Sequence, residues 1–319
     1  MKSSNKKTSH EKVTDQLIEL LETGTIPWRK TWKVSGGIPR NMVSGKQYRG
    51  MNILILSAKG YANPNWVSFK QAKELAVEKA RKDGLEIVEV KKGKKSIYYL
   101  NGELFRGGVR KGEKSTLITF WKLRFVDENN KTVKTKEESA ETRFRLMTHN
   151  VFNVSQCTGF IVGEEVSNQN DPIESAIEIA ENYQDGPEVK HGFDHAAYTP
   201  AEDVVSMPNQ ERFTSSEEYY GTLFHELVHS TGHKSRLNRD ALQGTINFGS
   251  DSYGKEELVA ELGASMLGGH AGISDTTIEN SAAYCRSWIA TLKGDSTLAV
   301  SAASAAQRAA DRILGVTWD

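Results

Sequence analysis

A chain of 319 residues, 38% hydrophobic and 26% charged, has the composition of a soluble globular protein and the length for two cores. It holds no apolar run of about 18 residues, which excludes a membrane span. Its basic opening "MKSSNKKTSHEKVTDQ" has no apolar stretch of the kind a secretory signal needs. The net charge of zero hides a division: residues 1–150 carry 31 basic and 16 acidic side chains, a net of +15, and residues 151–319 carry the other 10 and 25, a net of −15. Such an asymmetry points to a polyanionic partner for the first half.

In chain order, "HEKVTDQLIELLETGTIPW" predicts a helix, with Val13, Leu17, Leu20 and Leu21 on one face and Gly24 as its stop. The loop-rich stretch that follows, through residue 52, is basic with interleaved aromatics. "ILILSAKGY" and "WVSFKQAKELAVEKARKDG" predict two helices, the second ended by Gly84. "LEIVEVKKGKKSIYYLNGELF" alternates as strands do, and its Asn101-Gly102 pair signals a hairpin. "STLITFWKLRFVDENNKTVKT" and "FRLMTHNVFNVSQCTGF" predict further strands, so this half is α+β with an antiparallel sheet. Cys157 and Cys285 lack CxxC spacing and predict reduced thiols in the cytoplasm.

Residues 161–172, "IVGEEVSNQNDP", predict a linker, which divides the chain into domains at 1–160 and 173–319. Beyond it come a helix at "IESAIEIAENYQDG", short strands at "AAYT" and "DVVSMP", and helices over about 216–231, 255–268 and 277–314, the last broken near Gly294-Asp295.

Three of the eight histidines fall within residues 225–233. His225-Glu226-Leu227-Val228-His229 matches HExxH, in which histidines one helical turn apart can reach one Zn²⁺ and the glutamate can take a proton from water. The motif alone is short, so a third ligand decides it. His233 lies about 12 Å along the axis from His225, past the expected helix stop at Gly232. The metzincin pattern fails because Ser235 stands at its third ligand position. "KEELVAELGASML" remains. Its Glu257-Leu258-Val259-Ala260-Glu261 resembles the second helix of gluzincins, and that likeness implies Glu257 as third ligand and Glu261 as the partner of a ligand histidine. Glu256 is expected to be solvated. "AAYTPAEDVVSMP" is a candidate edge strand for an extended peptide. Tyr220 and Tyr253 are expected to pack in the interior, and His191 and His195 to take surface or capping roles.

Four of the six tryptophans lie in the basic half. Trp66 and Trp121, in patterned elements, are expected in the core. Trp28 and Trp32, in a basic loop, are expected at the surface, where aromatic rings beside cations suit single-stranded nucleic acid.

"IPWRKTWKV…PRNMVSGKQYRGMNILIL", "WVSFKQAKEL", "GGVRKGEKSTLITFWK" and "VFNVSQCTG" resemble the N-terminal domain of ArdC-type antirestriction proteins, a domain shared with the TraC-type primases of conjugative plasmids. "MPNQERFTSSEEYYGTLFHELVHSTGHKSRLNR", "YGKEELVAELGASML" and "YCRSWIATLK…AAQRAADRILG" resemble the zincin-like domain that follows it. Residues 77–105 look like an insertion. The resemblance implies a single-stranded-DNA-binding domain joined to a metallopeptidase-like domain, protecting the DNA of a plasmid or phage from host restriction. It also implies, as DNA contacts, Trp28, Arg29, Lys30, Lys33, Arg40, Asn41, Ser44, Lys46, Tyr48, Arg49, Asn52, Lys70, Arg110, Lys111 and Lys114. The expected cofactor is Zn²⁺, and a host restriction-system protein is a candidate peptide substrate or target. The rival readings are a non-catalytic DNA-coating protein with a structural metal, and a replication or priming accessory protein.

Overall fold

The computed structural model describes residues 7–23, 26, 37–93, 95–127, 131–133, 141–160, 171–242, 251–273 and 282–317. The elements run α1 (Ser9–Glu22), β1 (Arg40–Asn41), α2 (Met51–Ala58), β2 (Asn65–Ser68), α3 (Phe69–Lys82), β3 (Ile87–Lys92), β4 (Lys95–Leu100), β5 (Glu103–Leu104), β6 (Gly108–Val109), β7 (Thr116–Val126), β8 (Thr132–Val133), β9 (Glu141–Asn153) and β10 (Cys157–Thr158). They continue with α4 (Pro172–Glu181), β11 (Glu188–His191), β12 (Ala197–Thr199), β13 (Val204–Met207), α5 (Ser216–Ser230), α6 (Asp251–Ala271), α7 (Ala282–Gly294) and α8 (Leu298–Ile313). No helix among the described residues is long and apolar enough to cross a membrane.

Packing separates two compact units. One holds Met1–Gln16 and Trp66–Val162, the other Leu17–Asn65 and Gly163–Asp319. The division does not follow chain order, because residues 17–65 pack with the C-terminal half. The reason is local. Six of the eight residues of α2 are apolar and at most 4% exposed, among them Leu54, Ile55 and Leu56, and the helix lies on α8. Ahead of it, the Gly50 N–H donates to Gln307 Oε1 at 2.7 Å and Arg49 pairs with Asp311. Most of the predicted linker, residues 161–170, lies outside the described residues.

In the first unit the antiparallel sheet runs β2-β9-β7-β8. The long β7–β9 ribbon pairs Thr116 with Val151 at one end and Val126 with Glu141 at the other. The expected helix from "WVSF" starts later than its sequence suggested. Ser68 accepts from Gln71 N–H while Gln71 accepts from Ser68 N–H, a reciprocal cap that fixes the start at Phe69 and leaves Asn65–Ser68 as a strand. Residues 77–105 form the end of α3 and the sheet β3-β4-β5, whose Ile87 packs on Val77 and Ala80 with Tyr98, Leu100 and Phe105 around them. Asn101 and Gly102, at φ 52° and 81°, make the left-handed turn between β4 and β5. Trp66 is 1% exposed, as core; Trp121 is 52% exposed, which corrects its assignment to the interior. Cys157 is a free, half-buried thiol that burial pushes up to about 11, which keeps it unreactive at neutral pH.

In the second unit a sheet of order β11-β13-β12, with β11 parallel and β12 antiparallel to β13, packs on α5. α5 is buried by α6 on another side, and α6 in turn packs against the alanine-rich face of α8. The break expected near Gly294-Asp295 is there: α7 ends at Gly294 and α8 begins at Leu298, with Asp295 accepting from the Thr297 N–H and hydroxyl between them.

Candidate metal centre

α5 is capped by Ser215, whose hydroxyl accepts from the Glu218 N–H at 3.2 Å. It is a central helix: Leu223, Phe224, Leu227 and Val228 are all under 5% exposed. His225 and His229 sit one turn apart with their rings' centroids 4.7 Å apart. α6 approaches closely because Gly263 faces Val228; a Cβ there would meet Val228 Cγ2 at 2.7 Å. That approach brings Glu257 to the histidines.

The three predicted ligands converge. His229 Nε2 lies 3.1 Å from His225 Nε2 and 3.3 Å from Glu257 Oε1, and His225 Nε2 lies 3.5 Å from Glu257 Oε2. Ligand atoms held tetrahedrally at bonds of about 2.0–2.1 Å are roughly 3.3 Å apart, so the donor set fits a single divalent ion. It is the one such group among the described residues. In the metal-free geometry, burial would raise the Glu257 carboxyl, but hydrogen bonds from both histidines hold it well below the usual carboxylate range.

The carboxylate behind His229 is Glu256, which corrects the expectation that it is solvated. Glu256 is 3% exposed, and its Oε1 lies 3.2 Å from His229 Nδ1. Arg239 holds it from the far side, Nε to Oε2 at 2.9 Å and Nη2 to Oε1 at 2.6 Å. The same guanidinium donates to Thr231 Oγ1 and to the Val228 carbonyl, so it also caps the C-terminal end of α5. With Nδ1 engaged, His229 presents Nε2 to the ligand triangle. Burial alone would lower the His229 imidazole, yet Glu256 and Glu257 raise it to about 9. Glu261 lies one turn beyond Glu257 on α6, half-buried.

Glu226, 9% exposed, accepts the backbone N–H of Tyr198 at 2.8 Å. Tyr198 belongs to β12, which stands at the edge of its sheet, so the glutamate is fixed against that edge. Arg236, its side chain 2% exposed, pairs with Asp203, and Asp203 accepts the Tyr198 hydroxyl at 2.8 Å. Burial, then Asp203, pushes that phenol up. His233 turns to Ser235, 2.7 Å away, and stays out of the ligand group. Tyr220 is buried, edge-on to Tyr219. His191 is exposed, its Nε2 2.8 Å from the Tyr219 hydroxyl. The side chain of Tyr253 lies outside the described residues.

The DNA contacts implied by resemblance fall in both units. Trp28, Arg29, Lys30 and Lys33, with Trp32, lie outside the described residues. In the second unit, Asn41 spends its side-chain oxygen on the N–H groups of Val43 and Ser44 and on the Ser44 hydroxyl, closing a turn. Tyr48 is half-buried, Arg49 is paired with Asp311, Arg40 and Asn52 are partly buried, and Lys46 is exposed. In the first unit, Lys70 pairs with Glu74 at 3.5 Å, and Arg110 grips the carbonyls of Ser155 and Cys157. Lys111 and Lys114 are exposed. Asn41 and Arg110 therefore hold their own loops together, and Arg49 ties its loop to α8.

Glu256 and Arg239 escaped the sequence reading. The available signal was the apolar run that follows Glu256, in which Leu258, Val259, Ala260 and Leu262 are buried. Val259 and Ala260, three and four residues on, share the helical face of Glu256 and are buried with it.

Two family models match the chain: the N-terminal domain of anti-restriction factor ArdC over residues 7–152, and a zincin-like metallopeptidase over residues 178–305. Among curated proteins, the DNA primase TraC of Escherichia coli is 34% identical over 97% of this chain. The chain spans 27% of that relative's length. An uncharacterized protein of Sinorhizobium fredii, y4eC, is 32% identical over 95% of this chain and 90% of its own. Crystal structures of the antirestriction ArdC protein from the R388 plasmid, metal-free and Mn(II)-bound, match at 30% identity with TM-scores of 0.68 and 0.66. Each match covers 96% of this chain and 97% of the other.

Proposed function

Since the chain belongs to the ArdC antirestriction family, we propose that it protects incoming DNA from restriction in the cytoplasm of the receiving cell, binding single-stranded DNA and hydrolysing a peptide bond in a host restriction-system protein. The observation that carries the hydrolytic part is the triangle of His225, His229 and Glu257 beside a glutamate already anchored to a sheet edge. Two imidazoles and a carboxylate suit Zn²⁺ and leave room for a fourth ligand. A divalent ion there supplies Lewis-acid polarisation of a carbonyl and makes water more acidic.

The chain's own residues do the rest. Glu226 is the general base: its Oε1 is left to take a proton from attacking water while Oε2 stays on the Tyr198 N–H. The edge strand β12 offers backbone groups to an extended peptide. Glu256 and Arg239 keep His229 in the tautomer that ligates, and Glu261 is a further positioning candidate on the same helix. Lys46, Lys111 and Lys114 remain as exposed cations for phosphate contacts.

The test is survival of unmodified DNA entering a restricting host, with wild type against Glu226→Gln and metal content measured on both. The expected result is retained zinc and lost protection. Full protection by the zinc-loaded variant would instead assign protection to DNA coating. Appearance of labelled primers in a nucleotide-incorporation assay would favour a priming role.

A further inference from the structure

The β7–β9 ribbon was not among the expected DNA contacts. Its register makes residues with directly opposed partners share a face. On one face Lys122 stands opposite Arg145, and the next rung sets Arg124 opposite Arg143. Like charges directly opposed destabilise a sheet, and here two such rungs are adjacent. One acid answers them within the ribbon: Glu141, at the Val126 rung, pairs with Arg143 at 2.8 Å. Lys122 and Arg145 are exposed and have no partner among the described residues. Arg124 Nε is buried with no hydrogen bond. On the other side of Lys122 the rung is Phe120 opposite Met147, and Phe120 is 44% exposed.

We propose that this face of the ribbon is a binding surface for single-stranded DNA, with phosphates on the cationic rungs and a base stacked on Phe120. The inference rests on the DNA-binding reading above and names its surface. Rungs two residues apart are separated by roughly 6.7 Å, close to the span of one nucleotide in an extended strand. Phosphate neutralises the opposed cations, which supplies the charge the ribbon lacks. An exposed phenyl ring beside them suits a strand with free base faces, since stacking needs a π-face that a duplex hides.

Binding of a fluorescent, unstructured oligothymidylate is measured by anisotropy across a salt series with the full chain. Removing two phosphate contacts in Lys122→Thr/Arg145→Thr should lower affinity roughly tenfold and flatten the log–log salt slope by about 1.4. Phe120→Ala should cost roughly tenfold with the slope unchanged. Should the double variant fail to fold, Lys122→Gln alone should flatten the slope by about 0.7. Folded variants with wild-type affinity and slope overturn the ribbon surface. A wild-type chain that does not bind the oligonucleotide overturns the DNA-binding reading itself, a separate and recognisable result.

Discussion

The metal centre and the β7–β9 ribbon treat charge in opposite ways. At the centre, Glu256 is buried and Arg239 largely so, and each finds its opposite within 3 Å. On the ribbon, Lys122 and Arg145 are exposed and face a like charge. Burial explains the first arrangement, because an uncompensated charge inside a protein is expensive. Water permits the second, because solvent screens the repulsion. Charge at the centre thus serves geometry, whereas charge on the ribbon is left over for something outside the chain.

The sharpest way to break the contrast is to remove a buried partner. Arg239→Ala leaves Glu256 interior without its guanidinium and uncaps α5. The expected loss is about 3–5 kcal/mol in chemical unfolding; a change under about 1 kcal/mol would mean that the pair is not held as described. Glu256→Gln is milder. It keeps a hydrogen-bonding group on His229 Nδ1 but loses the charge, so metal affinity should fall about 10–100-fold in competition with a chelator. Equal affinity would show that His229 needs no carboxylate behind it. The ribbon should give the smallest effect and the opposite sign. Lys122→Thr/Arg145→Thr relieves an opposed like-charge rung and should leave stability unchanged or raise it by a few tenths of a kcal/mol. A marked loss on thermal unfolding would mean that these cations are structural after all.

Local chemistry made much of this molecule legible. The helix at 9–22, the turn at Asn101-Gly102 and the break at Asp295 depend on neighbours in sequence, and periodicity or turn chemistry suffices to find them. The HExxH pair was legible for the same reason, since an i, i+4 spacing fixes a shared helical face. Glu257 needed likeness to a known pattern, because 28 residues of chain separate it from His229. Where the reading erred, the missing quantity was burial. The patterning of its strand predicts Trp121 in the core, yet the ribbon leaves it exposed. Its charge predicts solvent for Glu256, yet it stands on the face of α6 that Val259 and Ala260 bury, while Lys255 keeps the exposed one.

By itself, then, the sequence determined the spacing-coded features: two histidines and a glutamate on one helix turn, caps, hairpin turns and the uneven distribution of charge. Tertiary structure alone decided which charges are answered. It set Arg239 on Glu256, spent Arg49 on Asp311, and opposed Lys122 to Arg145. Those pairings join residues far apart along the chain or across a register that a one-residue slip would change, and only the packed fold settles which side chains meet.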